Sequence, residues 1–313
     1  MRATSKALIL LLCMGAGLCL ANCSKEGNRT IKVGTWRTPQ TIQPFFYGDF
    51  TDLKIEVLPF TNPGDQKTAL LAGELNMCGT TLVTAITAAS QNEPVVIVAP
   101  LSDKCSALVA GIDSGIKTEA DLRGKTIAYV PGTMHHLLLL SILDWNGIGI
   151  NEVSLIRIDF FDMGLALRQK TIDAFLSGEP YPSIAELEGY GKILSYPYFE
   201  DEMGTVNSAM ITTKDMIRKN PAVIQKLVNA HVQATRYLLD NTAIWTEKSV
   251  EFGNDKDVLR FSFNNIELRS RIDQKYIDQT RALAKKMHGL GLITHVPDID
   301  ALFNLDFLNG QHN

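Results

Sequence analysis

The chain has 313 residues, and its 30 Lys and Arg against 34 Asp and Glu give a formal net charge of −4. This acidic balance argues against a nucleic-acid-binding surface, for which a basic stripe is expected. The composition, with 45% hydrophobic and 20% charged residues, is that of an ordinary globular protein and shows no repeat or low-complexity tract. The length is sufficient for two lobes, each with its own core.

The N-terminus has the pattern of an export signal. Arg2 and Lys6 precede an almost wholly apolar stretch, residues 7–20, that ends just before Asn22-Cys23. The stretch is short for a transmembrane span. We therefore expect residues 1–22 to form a signal peptide, whose removal takes away two basic side chains. The remaining chain is expected to act outside the cytoplasm.

Strand-like and helix-like segments alternate from Thr30 onward, which predicts parallel strands joined by right-handed crossovers in an α/β layer fold. In chain order, the first unit is predicted to contain strands over 31–36 and 53–60, a helix over 61–75, a strand over 75–79, a helix over 80–90 and a strand over 93–101.

A second α/β unit follows from about residue 117. Its predicted elements are strands over 125–130, 153–159 and 172–178, helices over 134–148, 161–171 and 184–191, and a further segment over 192–199. The apolar run 208–214 is predicted to be a strand that returns to the first unit, and the chain is mainly helical after it. The second unit is thus expected to be inserted between two parts of the first.

The run from Arg123 to Leu143 combines a strand, a turn at Pro131-Gly132 and a helix that Thr133 can cap. The free N–H groups and the positive dipole end of such a helix can hold an anion or a polar ligand head. The same pattern is equally typical of a buried crossover helix without a ligand.

Five segments together resemble a known family: the signal ending at Cys23, GTWRTPQ, LLAGELNMCGTTL, TEADLRGKTIAYVPGTMHHLLL and ALRQKTIDAFLSGEPYPSIAE. In their order and spacing, the chain resembles substrate-binding lipoproteins of ABC importers, in the branch that includes nitrate, taurine, alkanesulfonate and thiamine-pyrimidine binders. The resemblance implies a type II periplasmic-binding-protein fold, with two lobes joined by two crossover strands and a small solute held in the cleft between them.

The resemblance also implies a division of the chain. Residues 30–115 and 208–313 would form lobe 1, and residues 116–207 would form the inserted lobe 2. Cys23 would be lipidated, and residues 23–29 would tether the protein to the membrane, although Asn22 departs from the small residue usual before such a cysteine. The implied partners are a small solute, an ABC permease and its ATPase, and the protein is expected to be monomeric.

Candidate ligand contacts lie where strands end, because ligands of open α/β sheets bind beyond the carboxyl ends of strands. Trp36 can stack on a planar ligand and Arg37 can pair with an anion, although rim packing and solvent exposure explain them equally well. The predicted contacts are Trp36, Arg37, Thr80, Thr81, Thr133, His135, Glu179 and Tyr181.

Several of these residues also have purely structural explanations. Thr80 and Thr81 can be helix caps. His135 and His136 are adjacent and point about 100° apart on a helix, so we expect one to face the cleft. Glu179 favours a cationic or hydrogen-bond-donating ligand over a bare oxyanion, or is a structural hinge carboxylate. Asp162 can border the cleft or cap its helix.

No cofactor or metal is expected. Cys78 and Cys105 lack metal-ligand spacing; a disulfide between them is possible, and two buried thiols are favoured. The sequence has no nucleophile elbow, P-loop, zinc-protease or dinucleotide motif. A pyrimidine synthase and a chorismate-type dehydratase share the implied fold, but both are cytoplasmic enzymes, so a binding protein is preferred. A ligand-sensing receptor without transport stays open.

Overall fold

The computed structural model of the protein describes residues 30–198 and 203–309. The predicted signal peptide, tether and lipidated Cys23 lie outside the described residues. Within the described ranges, no helix combines the length and the apolar character that crossing a membrane requires.

The strands and helices follow the alternation that the sequence predicts. The strands are β1 Ile31–Thr35, β2 Ile55–Pro59, β3 Met77–Thr81, β4 Val95–Lys104, β5 Ser106–Gly111, β6 Thr126–Tyr129, β7 Ser154–Arg157, β8 Ala174–Gly178, β9 Gly191–Ser195, β10 Val206–Thr213 and β11 Ile266–Leu268. The helices are α1 Pro63–Leu71, α2 Leu82–Ser90, α3 Met134–Trp145, α4 Phe160–Arg168, α5 Tyr181–Leu187, α6 Lys214–Lys219, α7 Pro221–Asp240, α8 Thr242–Glu251, α9 Lys256–Ser262, α10 Gln274–Gly289 and α11 Asp306–Asn309.

In the described part of the chain, the strands form two sheets. The first has six strands in the order β11-β4-β10-β3-β1-β2, and the second has five in the order β7-β6-β8-β5-β9. This is the two-lobed α/β fold that the sequence predicts, and β10 returns to the first sheet as expected.

The prediction of parallel strands is correct for only part of each sheet. β1 pairs in parallel with β2 and β3, and β6 pairs in parallel with β7 and β8. β10 is antiparallel to β3 and β4, and β5 is antiparallel to β8 and β9. The physical reason is that β5 and β10 enter their sheets from the other lobe, without a helical crossover to set a parallel direction.

The chain passes from the first sheet to the second within two residues. β4 ends at Lys104 and β5 begins at Ser106, and both Lys104 and Cys105 have positive φ angles, 61° and 72°. Such angles bend the backbone sharply and are unfavourable for residues with a Cβ. The division into lobes at residue 116 stays a prediction, and the pairing of β5 favours a boundary nearer Cys105.

One apolar core extends through both lobes. It joins residues of α2 and β4 in the first lobe with residues of α3, β6 and β8 in the second. Separate cores cover the outer faces, one between the first sheet and α7 and one between the second sheet and α4. The lobes therefore contact each other through the apolar pair α2 and α3, and the edges of the sheets beside this contact border a cleft.

Candidate functional site

A cleft of about 530 Å³, a volume that includes open solvent at its mouth, lies between the two sheets. Both lobes contribute to its wall. Part of the wall is formed by residues at the ends of β1, β3 and β8 and near the start of β10. Six of the predicted contacts line it: Trp36, Thr81, Thr133, His135, Glu179 and Tyr181.

The structure does not bring Arg37 and Thr80 to the cleft wall. Arg37 is exposed, because its neighbour Trp36 takes the inward direction at the end of β1. Thr80 is completely buried, and its hydroxyl has no hydrogen-bond partner. Side chains alternate along a strand, so Thr80 and Thr81 point to opposite faces of β3. Asp162 is also exposed and outside the cleft lining, in the first turn of α4.

Trp36 lies against the backbone of β3. A Cβ placed on Gly79 would be 3.1 Å from Trp36 Cζ3 and 3.0 Å from Leu101 Cδ2. Contacts this short force the neighbouring side chain to move, so glycine at position 79 allows the indole to pack closely on the strand. The indole is thereby held at the cleft wall, where a planar ligand can stack on it.

Thr81 and Thr133 cap the two helices that meet at the cleft. The Thr81 hydroxyl accepts a hydrogen bond from the Thr84 N–H at 3.2 Å, at the start of α2. The Thr133 hydroxyl accepts from the His136 N–H at 3.2 Å and donates to the Val130 carbonyl at 2.8 Å. Each hydroxyl is thus used in its own helix cap, as the structural explanation of these residues expects.

His135 faces the cleft and His136 does not line it. The Nδ1 atom of His135 lies 3.1 Å from the Ser106 Oγ, and its ring contacts Phe160 edge-on. His136 is half-buried, accepts from the Gly132 N–H and contacts Tyr129. Burial lowers the pKa of His135 to about 4, so this imidazole is neutral at physiological pH and adds no positive charge to the cleft.

Glu179 is the buried carboxylate of the site, with 1% of its surface exposed. Its Oε2 accepts from the Ser183 hydroxyl at 2.6 Å and the Ser183 N–H at 3.3 Å, and its Oε1 accepts from Asn265 Nδ2 at 3.1 Å. Burial raises the pKa of Glu179, and the bonds from Ser183 and Asn265 partly oppose that effect. Within the described ranges, no Lys or Arg forms an ion pair with this carboxylate.

The sequence prediction missed several residues of the cleft wall. These include Gln40, Cys105, Phe160, Asn207 and Ser208. Asn207 and Ser208 lie near the start of β10, and the rule that ligands lie beyond the carboxyl ends of parallel strands does not select the start of an antiparallel strand. Gln40 could have been found, because it is the last residue of the GTWRTPQ segment and follows Pro39 in the polar loop after β1.

Cys78 and Cys105 are both buried and free, in agreement with the preference for two thiols. Burial raises the pKa of the Cys105 thiol far above its ordinary value, with a smaller contribution from Glu179. A protonated, buried thiol is a poor nucleophile and a poor metal ligand. No group of three or more His, Cys, Asp and Glu side chains converges on a metal position in the described residues.

Comparison with known families identifies the chain. The family model described as "NMT1/THI5 like" matches residues 46–243, which is more than half of the sequence. The chain belongs to the NMT1/THI5-like family. The matched region contains most of the cleft wall, including Thr81, His135 and Glu179, but begins after Trp36 and Gln40.

Curated relatives of this NMT1/THI5-like chain are binding proteins by name. It is 26% identical over 187 residues to the "Putative aliphatic sulfonates-binding protein" of Escherichia coli strain K12, covering 59% of this chain and 58% of the relative. It is 27% identical over 221 residues to a "Putative ABC transporter periplasmic binding protein" of Brachyspira hyodysenteriae, covering 62% and 63%. The chain therefore spans less than two thirds of the length of either relative.

A solved structure supports the fold. The alkanesulfonate-binding protein SsuA of Xanthomonas axonopodis pv. citri, bound to MOPS, superimposes with a TM-score of 0.76 over 88% of this chain and 98% of that one. The sequence identity is 17%. At this identity the similarity establishes the two-lobed fold that this NMT1/THI5-like chain shares and does not establish a ligand.

Proposed function

We propose that this protein is the extracytoplasmic solute-binding component of an ABC importer, which binds a small polar organic solute between its lobes and delivers it to a membrane permease. In this proposal the protein is a monomer that a lipid on Cys23 holds at the membrane, and it catalyses no reaction. The names of the curated relatives support the class, and the solute is either sulfonate-like or amine- and pyrimidine-like.

The observation that carries the proposal is that hydrogen bonds cross the cleft directly. Gln40 Nε2, from the first lobe, donates to the Glu179 carbonyl oxygen of the second lobe at 2.8 Å. Asn265 beside β11 donates to the Glu179 carboxylate, and the Thr84 hydroxyl of α2 donates to the Gly132 carbonyl oxygen at 3.3 Å. A solute enclosed here contacts both lobes at once.

These contacts explain how binding is coupled to closure. A solute that contacts both walls binds the closed form more tightly than an open one, so it shifts the population toward closure. The permease can then distinguish loaded from empty protein by the arrangement of the lobes. The bend at Lys104 and Cys105 lies between the sheets and is a natural place for the required rotation.

The chemistry of the cleft supports a binder over an enzyme. His135 lies beside the buried Ser106 hydroxyl, which resembles half of a hydrolytic pair. However, a histidine with a pKa of about 4 is a weak general base at neutral pH, and no described carboxylate bonds to its other ring nitrogen. The buried Cys105 thiol is likewise unreactive.

The test is a thermal-shift screen of the purified protein against taurine, alkanesulfonates, nitrate, pyrimidines, riboflavin, amines and purines. A solute that binds only the folded state raises the melting temperature by mass action, by an amount equivalent to about 2.7 kcal/mol at a hundred times its Kd. We expect at least one class of small solute to stabilise the protein in this way.

Two further measurements separate the alternatives. NMR spectra of a stabilising solute after long incubation should show it unchanged; conversion to a product would favour the fold-related enzymes. Uptake of the labelled solute by cells with and without the gene distinguishes transport from sensing. If no solute of any class stabilises the protein, the proposal is wrong.

A further inference from the structure

Among the described residues of the cleft wall, one buried side-chain polar atom has no hydrogen-bond partner, and it is an acceptor. Gln40 lies in a short turn, Pro39–Thr41, just after β1, and only 8% of its surface is exposed. Its amide nitrogen bonds to the Glu179 carbonyl oxygen, but its Oε1 is buried without a partner. An unsatisfied buried acceptor of this kind costs about 1–3 kcal/mol.

The orientation of the Gln40 amide is fixed by its surroundings. A backbone carbonyl oxygen can only accept a hydrogen bond, so the atom of Gln40 that faces the Glu179 carbonyl at 2.8 Å must be the NH₂ group. The amide oxygen is therefore the atom left without a partner, in a side chain that lines the cleft. It can accept a hydrogen bond from a ligand and cannot donate one.

Glu179 adds a second acceptor of the same kind. The two donors of Ser183 both go to Oε2, whereas Oε1 accepts one bond, from Asn265. The Ser262 hydroxyl is a further neutral neighbour of this carboxyl, but it donates to the Val258 carbonyl oxygen at 2.8 Å. A carboxylate offers about four acceptor positions, so Oε1 keeps one for a further donor. All of its partners are neutral, and a buried charge without a cation is strongly disfavoured unless a ligand supplies one.

The helix N-termini at the cleft are positive, whereas Gln40 Oε1 and the Glu179 carboxyl are acceptors. The N-termini of α2 and α3 each carry about half a positive charge. Their caps, Thr81 and Thr133, each satisfy one of the free N–H groups. These ends can hold an oxygen of a ligand, but a bare oxyanion would also face the Glu179 carboxyl group, with no Lys or Arg among the described lining residues.

Resting on the function proposed above, we propose that Gln40 Oε1 and the Glu179 carboxylate form an acceptor pair that selects solutes carrying N–H donors, such as a primary ammonium, amidine or amino-heterocycle. Gln40 is the specificity-determining residue of this pair, and oxyanions without a donor group are rejected. Because the same amide also bonds across the cleft, donor recognition and lobe contact are combined in one side chain.

The test is isothermal titration of the purified protein with two matched pairs of probes: taurine with ethanesulfonate, and 4-aminopyrimidine with pyrimidine. The members of each pair differ only in the amino group. A hydrogen bond to a charged group contributes about 1.5–3 kcal/mol, so we expect the amino-bearing member to bind at least about tenfold more tightly. Stabilising solutes from the broader screen are titrated in the same way.

The variant Gln40→Met keeps the length of the side chain and removes both polar atoms. Because it also removes the bond to the Glu179 carbonyl oxygen, it should weaken every solute somewhat. A donor-bearing solute should lose at least about tenfold more affinity than a donor-free one. Gln43→Met is a matched control, since Gln43 donates to the Leu101 carbonyl at 2.8 Å and also has an unpartnered Oε1, but does not line the cleft. The control should bind every solute as the parent does.

Each outcome is decisive. If ethanesulfonate binds as tightly as taurine, or pyrimidine as tightly as 4-aminopyrimidine, the inference is overturned while the binding function stands. If Gln40→Met does not weaken the affinity for donor-bearing solutes, the role of Gln40 is overturned. The comparison within each pair uses the parent protein, so it decides even if the variant does not fold. If neither the matched probes nor any solute of the broader screen binds, the proposed function fails and the inference fails with it.

Discussion

Two buried carboxylates show how differently the chain treats the same chemical group. Asp103 near the end of β4 and Glu179 after β8 are each 1% exposed. Asp103 Oδ2 accepts from Arg269 Nη1 at 2.6 Å, and the Arg269 side chain is itself only 21% exposed. Glu179 accepts hydrogen bonds from Ser183 and Asn265, which are neutral. One carboxylate therefore has a cation within the described chain and the other has none.

Burial raises the pKa of both groups, but different partners oppose it. The pKa of Asp103 rises to about 6 despite the neighbouring Arg269. The pKa of Glu179 is also raised, and neutral hydrogen bonds provide the opposing effect. A carboxylate with its own arginine can be explained by structure alone. In our proposal, the carboxylate that borders the cleft and lacks a cation takes its partner from outside the chain.

Removing the arginine should make the two carboxylates alike and should have the largest effect on stability. Arg269→Met leaves Asp103 buried without its cation, which typically costs about 3–5 kcal/mol. Chemical denaturation measures this loss. Arg281→Met is the control, because Arg281 makes its ion pairs with exposed partners, Asp278 and Asp300, and should cost less than about 1 kcal/mol. Equal losses in the two variants would show that the Asp103 pair is not special.

Glu179→Gln should have the reverse profile, with a small effect on stability and a large one on binding. The variant removes a buried charge that has no cation, so we expect the free energy of unfolding to change by less than about 1 kcal/mol or to increase. A cationic solute should bind at least about tenfold more weakly. A large loss of stability with unchanged affinity would instead make Glu179 a structural hinge carboxylate.

The pH dependence of this variant tests whether the charge of Glu179 is responsible. A carboxyl whose pKa is raised in the folded state binds protons more readily than in the unfolded state, so it stabilises the fold at low pH. That stability is lost as the pH rises through the folded pKa. Denaturation of the parent and Glu179→Gln across pH 4–8 should therefore show the variant gaining relative stability with rising pH. A constant difference between the two proteins would contradict this assignment.

Gly178→Ala should have the smallest effect on binding and tests the packing beside Glu179. A Cβ at this position would lie 3.1 Å from both Cε1 and Nε2 of His135 and 3.6 Å from Gln40 Nε2. We expect a destabilisation of about 1 kcal/mol, typical of overpacking, and a several-fold weaker affinity in titration. Gly48→Ala is the control, since its added Cβ has open space. Equal behaviour of both variants would show that this close contact is unimportant.

The fold was predictable because it depends on local patterns. The hydrophobic runs of β4 and β8 and the capped starts of α2 and α3 are visible in the sequence, and their alternation indicates an α/β fold. The antiparallel direction of β5 and β10 was not predictable from alternation. It depends on how the chain crosses between lobes, and no residue near those strands marks their direction.

The cleft was predictable to the extent that its residues follow strand ends. Trp36, Thr81 and Glu179 were found in this way and do line the cleft. Gln40 and Asn265 were not predicted, because each matters through a contact with Glu179 that is distant in the chain. Gln40 is 139 residues from Glu179, and Asn265 is 86 residues from it. Arg37 has the right chemistry for an anion and the wrong direction, and a single sequence does not specify which way a loop side chain points.

Under the proposed function, the bond between Gln40 and the Glu179 backbone limits how the selectivity of the protein can evolve. A substitution at position 40 that changes which solute is accepted also changes how firmly the lobes hold together. Selectivity and the rate of solute release are therefore expected to drift together when this residue changes. An engineer who wants a biosensor with altered preference but the original response time should leave Gln40 in place and vary the aromatic wall at Trp36 and Phe160.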